Sequence, residues 1–324
     1  MELLNSGPQA RPSKRSAHSV RSLIQLVLML CLSQSYASLL HAQSVAITMD
    51  DLDVNADDTP LLSLEQRNAA ILAALDRVQL KAIIFVCGTR VDSEIGRRHI
   101  DTWARGGHLI GNHSWTHTNF SASGAETFGD EVLRTEALLK EMHGFTRMFR
   151  FPMLKEGRTA EQRDGMRDFL SSHGYRNGYV TIDTSDWAID ARLRRRLHAD
   201  PTANLEPYRR FYLEHMWQRA QYYDGLAKKV LGRSPSHTLL VHHNLVSALF
   251  LPDLLHMFSS RGWTLVDAAT AYKDPIFAAQ PNILPAGESI VWALAKESKR
   301  FDKELRFPAE DGEYEDPRMD ALGL

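Results

Sequence analysis

The tightest constraint on this chain is an alternation: short apolar runs and amphipathic stretches take turns from Val45 to Val266. Val45-Ala46-Ile47-Thr48 reads as a strand, and Leu64 to Val78 carries Leu64, Ile71, Leu72 and Leu75 at helical spacing. Ala82 to Val86 is a second strand. Ile95 to Trp103 reads as helix until Gly106-Gly107 breaks it before the apolar His108-Leu109-Ile110. The pattern continues with helix at Glu131 to Met142, strand at Met148 to Phe151, helix at Arg163 to Ser172 and strand at Tyr179 to Ile182. It then predicts a long helix over Tyr208 to Leu231, a strand over Thr238 to Val241, a helix over Leu249 to Ser260 and a strand over Trp263 to Val266. No internal repeat and no break in composition interrupts this region, so one parallel α/β layer or barrel is expected rather than two domains. A Gly-rich phosphate turn is missing after the first strand, which counts against a dinucleotide-binding fold. Residues 43–274 are expected to form this single domain. Residues 275–324, richer in charge and Pro, with Glu310, Asp311, Glu313, Glu315 and Asp316 close together, are expected to be a peripheral extension.

The N-terminal segment has a different character. Arg11, Lys14, Arg15 and Arg21 precede the apolar run Ser22 to Leu32, and small residues follow at Ser35-Tyr36-Ala37 and at Ala42. About ten apolar residues are too few to span a bilayer, so residues 1–42 read as a signal peptide cleaved after Ala37 or Ala42. The protein is then expected in the periplasm or outside the cell, with no stable membrane anchor. Over the whole chain, 38 Lys and Arg face 40 Asp and Glu, and the signal removes more cations than acids. That balance speaks against nucleic acid as a partner. Of the 2 Cys, only Cys87 lies beyond the signal; it ends an apolar run and reads as a buried structural thiol.

Residues able to do chemistry gather where strands end. Asp50 and Asp51 follow the first strand directly, and the C-terminal edge of a parallel barrel is where active sites form. Two acids there suit a base and a metal ligand, although on their own they also read as a cap or loop pair. His113 and His117 follow the third strand, and their spacing places both imidazoles on one face of a helical turn. A chain with 14 His produces such spacings by chance as well. Two imidazoles and a carboxylate with open positions would suit catalytic Zn²⁺.

Thr48-Met49-Asp50-Asp51 and His113-Ser114-Trp115-Thr116-His117 resemble the first two motifs of the polysaccharide deacetylase family, also called the NodB-homology family or carbohydrate esterase family 4. Arg150-Phe151-Pro152, Asp183-Thr184-Ser185-Asp186-Trp187 and Leu240-Val241-His242 resemble the third, fourth and fifth, in the same order. The resemblance implies a distorted (β/α) barrel and a metal-dependent hydrolase that removes N- or O-linked acetyl groups from a carbohydrate such as chitooligosaccharide, peptidoglycan or xylan. It implies that Asp51, His113 and His117 hold a divalent metal, Zn²⁺ by preference. Asp50 would be the general base, oriented by Arg150, and His242 the general acid, tuned by Asp186. Trp187, Met153 and Pro152 would meet the substrate, Trp187 as an apolar wall and Met153 through its backbone N–H. No protein partner is implied.

The chain also departs from the family pattern. Leu52 stands where Gly usually follows the paired acids, Met153-Leu154 where an aromatic residue and Gly are frequent, and His243 where Asp is common. The register favours His242 over His243 as the acid. Asp53, Asp57 and Asp58 read as a solvated acidic loop or a second cation site, and Tyr208, Tyr212, Trp217, Tyr222 and Tyr223 as helix packing or a sugar-stacking surface. Two other functions stay open at this point: hydrolysis of a non-sugar amide, and non-catalytic carbohydrate binding on the same scaffold.

Overall fold

The computed structural model describes residues 43–55, 59–122, 124–307 and 312–324. The signal reading of 1–42, and Asp57, Asp58, Glu310 and Asp311, lie outside the described residues.

The first strand shows how the two faces of the sheet are divided. In β1 (Ser44–Asp50), Val45, Ile47 and Met49 join the main hydrophobic cluster beneath the helices. Ala46 joins a second cluster with Phe85, Met148 and Tyr272. Side chains alternate with period two, so Thr48 and Asp50 share the face of Ala46. β1 pairs in parallel with β2 (Ile83–Val86) and β7 (Ser236–His242), and the order continues through β3 (Leu109–Asn112), β4 (Phe145–Phe149) and β6 (Arg176–Asn177). β8 (Thr264–Leu265) lies beside the start of β1. The expected strand at Tyr179 to Ile182 is instead a connection. Gly178 N–H donates to Phe149 O at 2.6 Å and Leu240 N–H to Ile182 O at 3.0 Å. Residues 176–182 thus leave β4 and reach β7, closing the parallel strands into a distorted (β/α) barrel.

The helices form for local reasons. Ser63 and Gln66 make a reciprocal capping box that starts α1 (Leu64–Arg77). Ser93 and Thr159 cap α2 (Glu94–Arg105) and α4 (Ala160–Ser172) through their hydroxyls. α3 (Ala125–Leu139) begins a turn and a half before the apolar pattern announces it, because its first residues bury only Phe128 and Gly129. α5 (Asp186–Ala199) is not apparent in the sequence. Four arginines interrupt it, yet Ile189, Leu193 and Leu197 form a buried i, i+4, i+8 stripe. In α6 (Glu206–Leu231), Tyr208, Tyr212 and Tyr223 are buried in the core, and Trp217 packs on Phe258 and Trp263. Packing therefore accounts for these aromatics. α7 (Leu245–Ser260) covers the next face. No helix among the described residues is long and apolar enough to cross a membrane.

Residues 275–324 are not peripheral, contrary to the sequence expectation. β9 (Ala286–Gly287) pairs antiparallel with β5 (Lys155–Gly157), and α8 (Ile290–Ser298) sends Ile290, Val291 and Ala295 into the main cluster. Glu315, read as part of an acidic tail, is buried between Arg219 at 3.0 Å and His215 at 3.3 Å, just before α9 (Asp316–Ala321). The charge of the segment misled because Glu315 has buried cationic partners.

The β5–β9 contact depends on Gly287. Its φ is +125°, and a Cβ there would lie 2.0 Å from the Leu154 carbonyl oxygen. Gly287→Ala is expected to destabilise the protein by roughly 1–3 kcal/mol, measured by urea denaturation; an unchanged midpoint would contradict this account of the junction.

Candidate active site

Strand register assembles the site. Asp50 pairs with His242 across β1 and β7, so both stand at the C-terminal ends of neighbouring strands. Arg150 follows β4, and its N–H donates to Asn112 O at 3.0 Å at the end of β3. Asp51, His113 and His117 lie on the loops beyond β1 and β3. Their candidate ligand atoms all fall within 4.8 Å of one another, and they form the one group of three such residues among those described.

The His113–His117 segment is a loop, not the helical turn its spacing suggested. Ser114 and His117 both have positive φ, 68° and 59°. The loop still sets the two rings 5.0 Å apart, edge to face. Asp51 is left-handed too, at φ 68°; Asp tolerates this conformation better than most residues, so Leu52 need not be Gly. Cys87 lies beneath, its Sγ donating to His113 O at 3.2 Å. Burial pushes that thiol well above its ordinary range, as suits a structural role.

The three residues offer a donor set that fits a divalent cation. His113 Nδ1 donates to Arg150 O at 2.8 Å, which leaves the Nε2 lone pair turned toward Asp51 Oδ1 at 3.8 Å. His117 Nε2 is 3.4 Å from the same oxygen. Burial lowers both imidazoles to about 4, so they are neutral ligands at pH 7. Burial raises the Asp51 carboxyl, but His117, His113 and Arg90 together hold it well below the usual carboxylate range. Two neutral imidazoles and one ionised carboxylate are an N₂O set with positions left open.

Arg150 is fully buried and has a partner for each nitrogen. Nη1 donates to Asp50 Oδ1 at 2.6 Å, Nε to Gly178 O at 2.9 Å, and Nη2 to Thr48 Oγ1 and to the Tyr272 hydroxyl, both at 3.0 Å. The Phe85 ring lies 4.1 Å beneath the guanidinium. Asp50 is thereby held by Oδ1, and Oδ2 faces His113 Nε2 at 3.5 Å. Burial pushes the Asp50 carboxyl up, against the pull of Arg150.

On the adjoining wall, Asp186 accepts from His242 N at 2.9 Å and Asn244 Nδ2 at 2.8 Å, and lies 2.6 Å from His242 Nδ1. His242 itself lines the pocket. Asp186 is completely buried at the first turn of α5, where the helix dipole also favours a carboxylate. His243 turns away, its Nε2 3.1 Å from Asn68 Oδ1 and its ring against Trp103; burial lowers it to about 3. The backbone alternation that separates neighbours thus picks His242 for the pocket.

A pocket of about 400 Å³ is lined by Asp50, Asp51, His113, His117, Met153, Lys155, Trp187 and His242. Trp187 is exposed, at 39 %, as a wall open to a ligand must be. Pro152 is not among the lining residues, unlike the expectation. It is buried at the start of a 3₁₀ turn, where its fixed φ suits the backbone. Met153 and Leu154, both at φ 54°, complete that turn.

Several residues escaped the sequence reading. Arg90 forms an ion pair with Asp51 and lies 3.7 Å from Asp53, so Asp53 stands beside a cation. Tyr272 gives Arg150 a partner from more than a hundred residues away, and Lys155 enters the pocket next to the third motif. Asp183 is buried with neither carboxylate oxygen hydrogen-bonded, and burial pushes it up to about 7. Only the Asp183 position carried a sequence signal, as the first residue of the fourth motif.

Removing Arg150 leaves Asp50 as an unpaired buried charge. Arg150→Met is expected to cost about 3–5 kcal/mol in chemical denaturation, with a clearly smaller loss in Arg150→Met combined with Asp50→Asn. Equal losses would show that the two residues are not coupled.

Residues 39–178 match the polysaccharide deacetylase family. A peptidoglycan-N-acetylglucosamine deacetylase of Bacillus cereus is 24% identical over 131 residues, 40% of this chain and 44% of the relative, so the match spans less than half of that relative's length. Among solved structures, a family 4 carbohydrate esterase from Streptomyces lividans in complex with acetate is 17% identical with a TM-score of 0.47, over 71% of this chain and 96% of that one. A pseudoenzyme of the same family from Bacillus anthracis is 17% identical with a TM-score of 0.49, over 72% and 66%. The five motifs stand in order along the chain and the family match runs from before β1 to the end of β6, so this region carries a polysaccharide deacetylase domain.

Proposed function

We propose that this chain is an exported, metal-dependent hydrolase that removes acetyl groups from a carbohydrate. The observation that carries the proposal is the meeting, in one pocket, of a three-residue ligand set with two differently supported proton carriers, Asp50 and His242. Asp51, His113 and His117 would hold the metal. A divalent ion such as Zn²⁺ would polarise the acetyl carbonyl and acidify a water.

The remaining chemistry falls to the chain's own groups. Asp50 Oδ2 takes the proton of the attacking water, since Oδ1 is occupied by Arg150. Its raised proton affinity makes it a better base than an ordinary carboxylate. His242 donates from Nε2 to the departing nitrogen or oxygen, while Asp186 holds Nδ1 and with it the ring orientation. The Met153 N–H is offered to the acyl oxygen, and Trp187 walls the acetyl methyl. An N-acetylated amino sugar is supported by the name of the Bacillus cereus relative. Export rests on the basic and apolar pattern of residues 11–42.

Acetate release is the direct test, measured from acetylated chitooligosaccharide, peptidoglycan fragments and acetyl-xylan. Chelation is expected to abolish it, and Asp50→Asn to lower kcat by about 10²–10⁴-fold while metal content is kept. Full activity in Asp50→Asn would remove Asp50 as the base, and no release from any of these substrates would refute the hydrolase reading. Elemental analysis is expected to find about one metal ion per chain, falling sharply in His113→Ala; an unchanged content would reject the ligand set.

A further inference from the structure

Beside the catalytic pocket lies a second cavity of about 290 Å³, and Lys155 lines both. The C-terminal segment builds its far side. The β5–β9 pairing and the Glu288 N–H to Leu154 O bond, 3.0 Å, fix that segment next to the third motif. α8 then turns Ile290, Val291 and Ala295 into the core; Trp292, which also packs against that core, and Lys296, one helical turn on, line the cavity. Arg158 and Asn119 face them.

The charge here runs against that of the chain. Lys155, Arg158 and Lys296 line the cavity with Glu288 as the one acid among the lining residues. Glu288 is engaged by Lys155 at 2.6 Å. Among the described residues Lys296 has only an exposed ion-pair partner, Asp302 at 3.3 Å. The Arg158 side chain has no ion pair among the described residues. In a chain with more acids than bases, cations gathered around an indole and an amide make a site for a ring that carries negative charge. The indole offers an apolar face to a pyranose, Asn119 hydrogen bonds to its hydroxyls, and the Arg158 fork a bidentate grip on a carboxylate.

We propose that this cavity is a sugar subsite that takes a carboxylate-bearing residue of the glycan, next to the sugar whose acetyl group enters the catalytic pocket. The proposal deepens the hydrolase reading and rests on it for the position of the acetylated sugar. The preferred substrate is then an acetylated acidic glycan, its carboxylate belonging either to a uronic acid or to a lactyl ether of the muramic type.

The experiment uses the metal-loaded full chain and the double variant Arg158→Gln with Lys296→Gln, with melting temperature checking that the variant is folded. Calorimetry compares non-acetylated tetragalacturonate with neutral chitotetraose. Kinetics compares acetylated oligogalacturonate, a glycan fragment containing N-acetylmuramic acid, and acetylated chitooligosaccharide. Tetragalacturonate is expected to bind the wild type more tightly than chitotetraose and to lose about tenfold in the variant, with chitotetraose changing less than twofold. High salt is expected to erase the preference. Whichever acidic substrate shows the larger rise in KM in the variant identifies the source of the carboxylate. Equal binding of charged and neutral sugars by the wild type, or equal losses in the variant, would overturn the subsite. If tetragalacturonate binding depends on Arg158 and Lys296 but no acetylated sugar releases acetate, the hydrolase reading falls and the subsite stands.

Discussion

The architecture turns on one buried guanidinium. Arg150 joins β1 through Asp50 and Thr48, the closing segment through Gly178, and the end of the barrel through Tyr272. A charge taken this far from water costs several kcal/mol unless its donors are satisfied, and here they are. The same bonds hold one oxygen of Asp50 and leave the other toward the pocket. Stability of the barrel interior and orientation of the proposed base therefore have a common origin, and a change at Arg150 touches both.

Around that fixed centre the loops adopt conformations that most side chains avoid. Asp51, Ser114, His117, Met153 and Leu154 all have positive φ, and each belongs to a strand-end loop of the site. Such residues persist where the surroundings over-determine them. Leu154 shows how: it is buried with Val180 and Leu240, and its carbonyl receives the Glu288 N–H. The C-terminal segment thus supports the backbone of the third motif. Its other end reaches the fourth, since Glu315 pairs with His215, whose Nε2 accepts the Ser185 N–H just ahead of Asp186.

Legibility in the sequence followed the range of the forces involved. β1, α1, β2 and α2 were readable to within a few residues, because each carries its own apolar period and stop signals. α5 was not, since arginines outnumber its stripe. The helical reading of His113 to His117 failed because spacing alone cannot tell a helical turn from a loop with two left-handed residues. The motif residues were legible as candidates, but Arg90, Lys155 and Tyr272 were not. An isolated Arg, Lys or Tyr carries no sign of what tertiary structure will bring to it.

By itself the sequence determined the alternating strands and helices, the parallel class they imply, and which acids and imidazoles stand at strand ends. Those are local properties, written in period and position. Tertiary structure decided that 176–182 closes the barrel, that His242 rather than His243 meets the pocket, and that Pro152 is buried outside its lining. It also decided that residues beyond 275 belong to the core and line a second cavity. Each of these depends on register and burial between segments far apart in the chain, which no local pattern encodes.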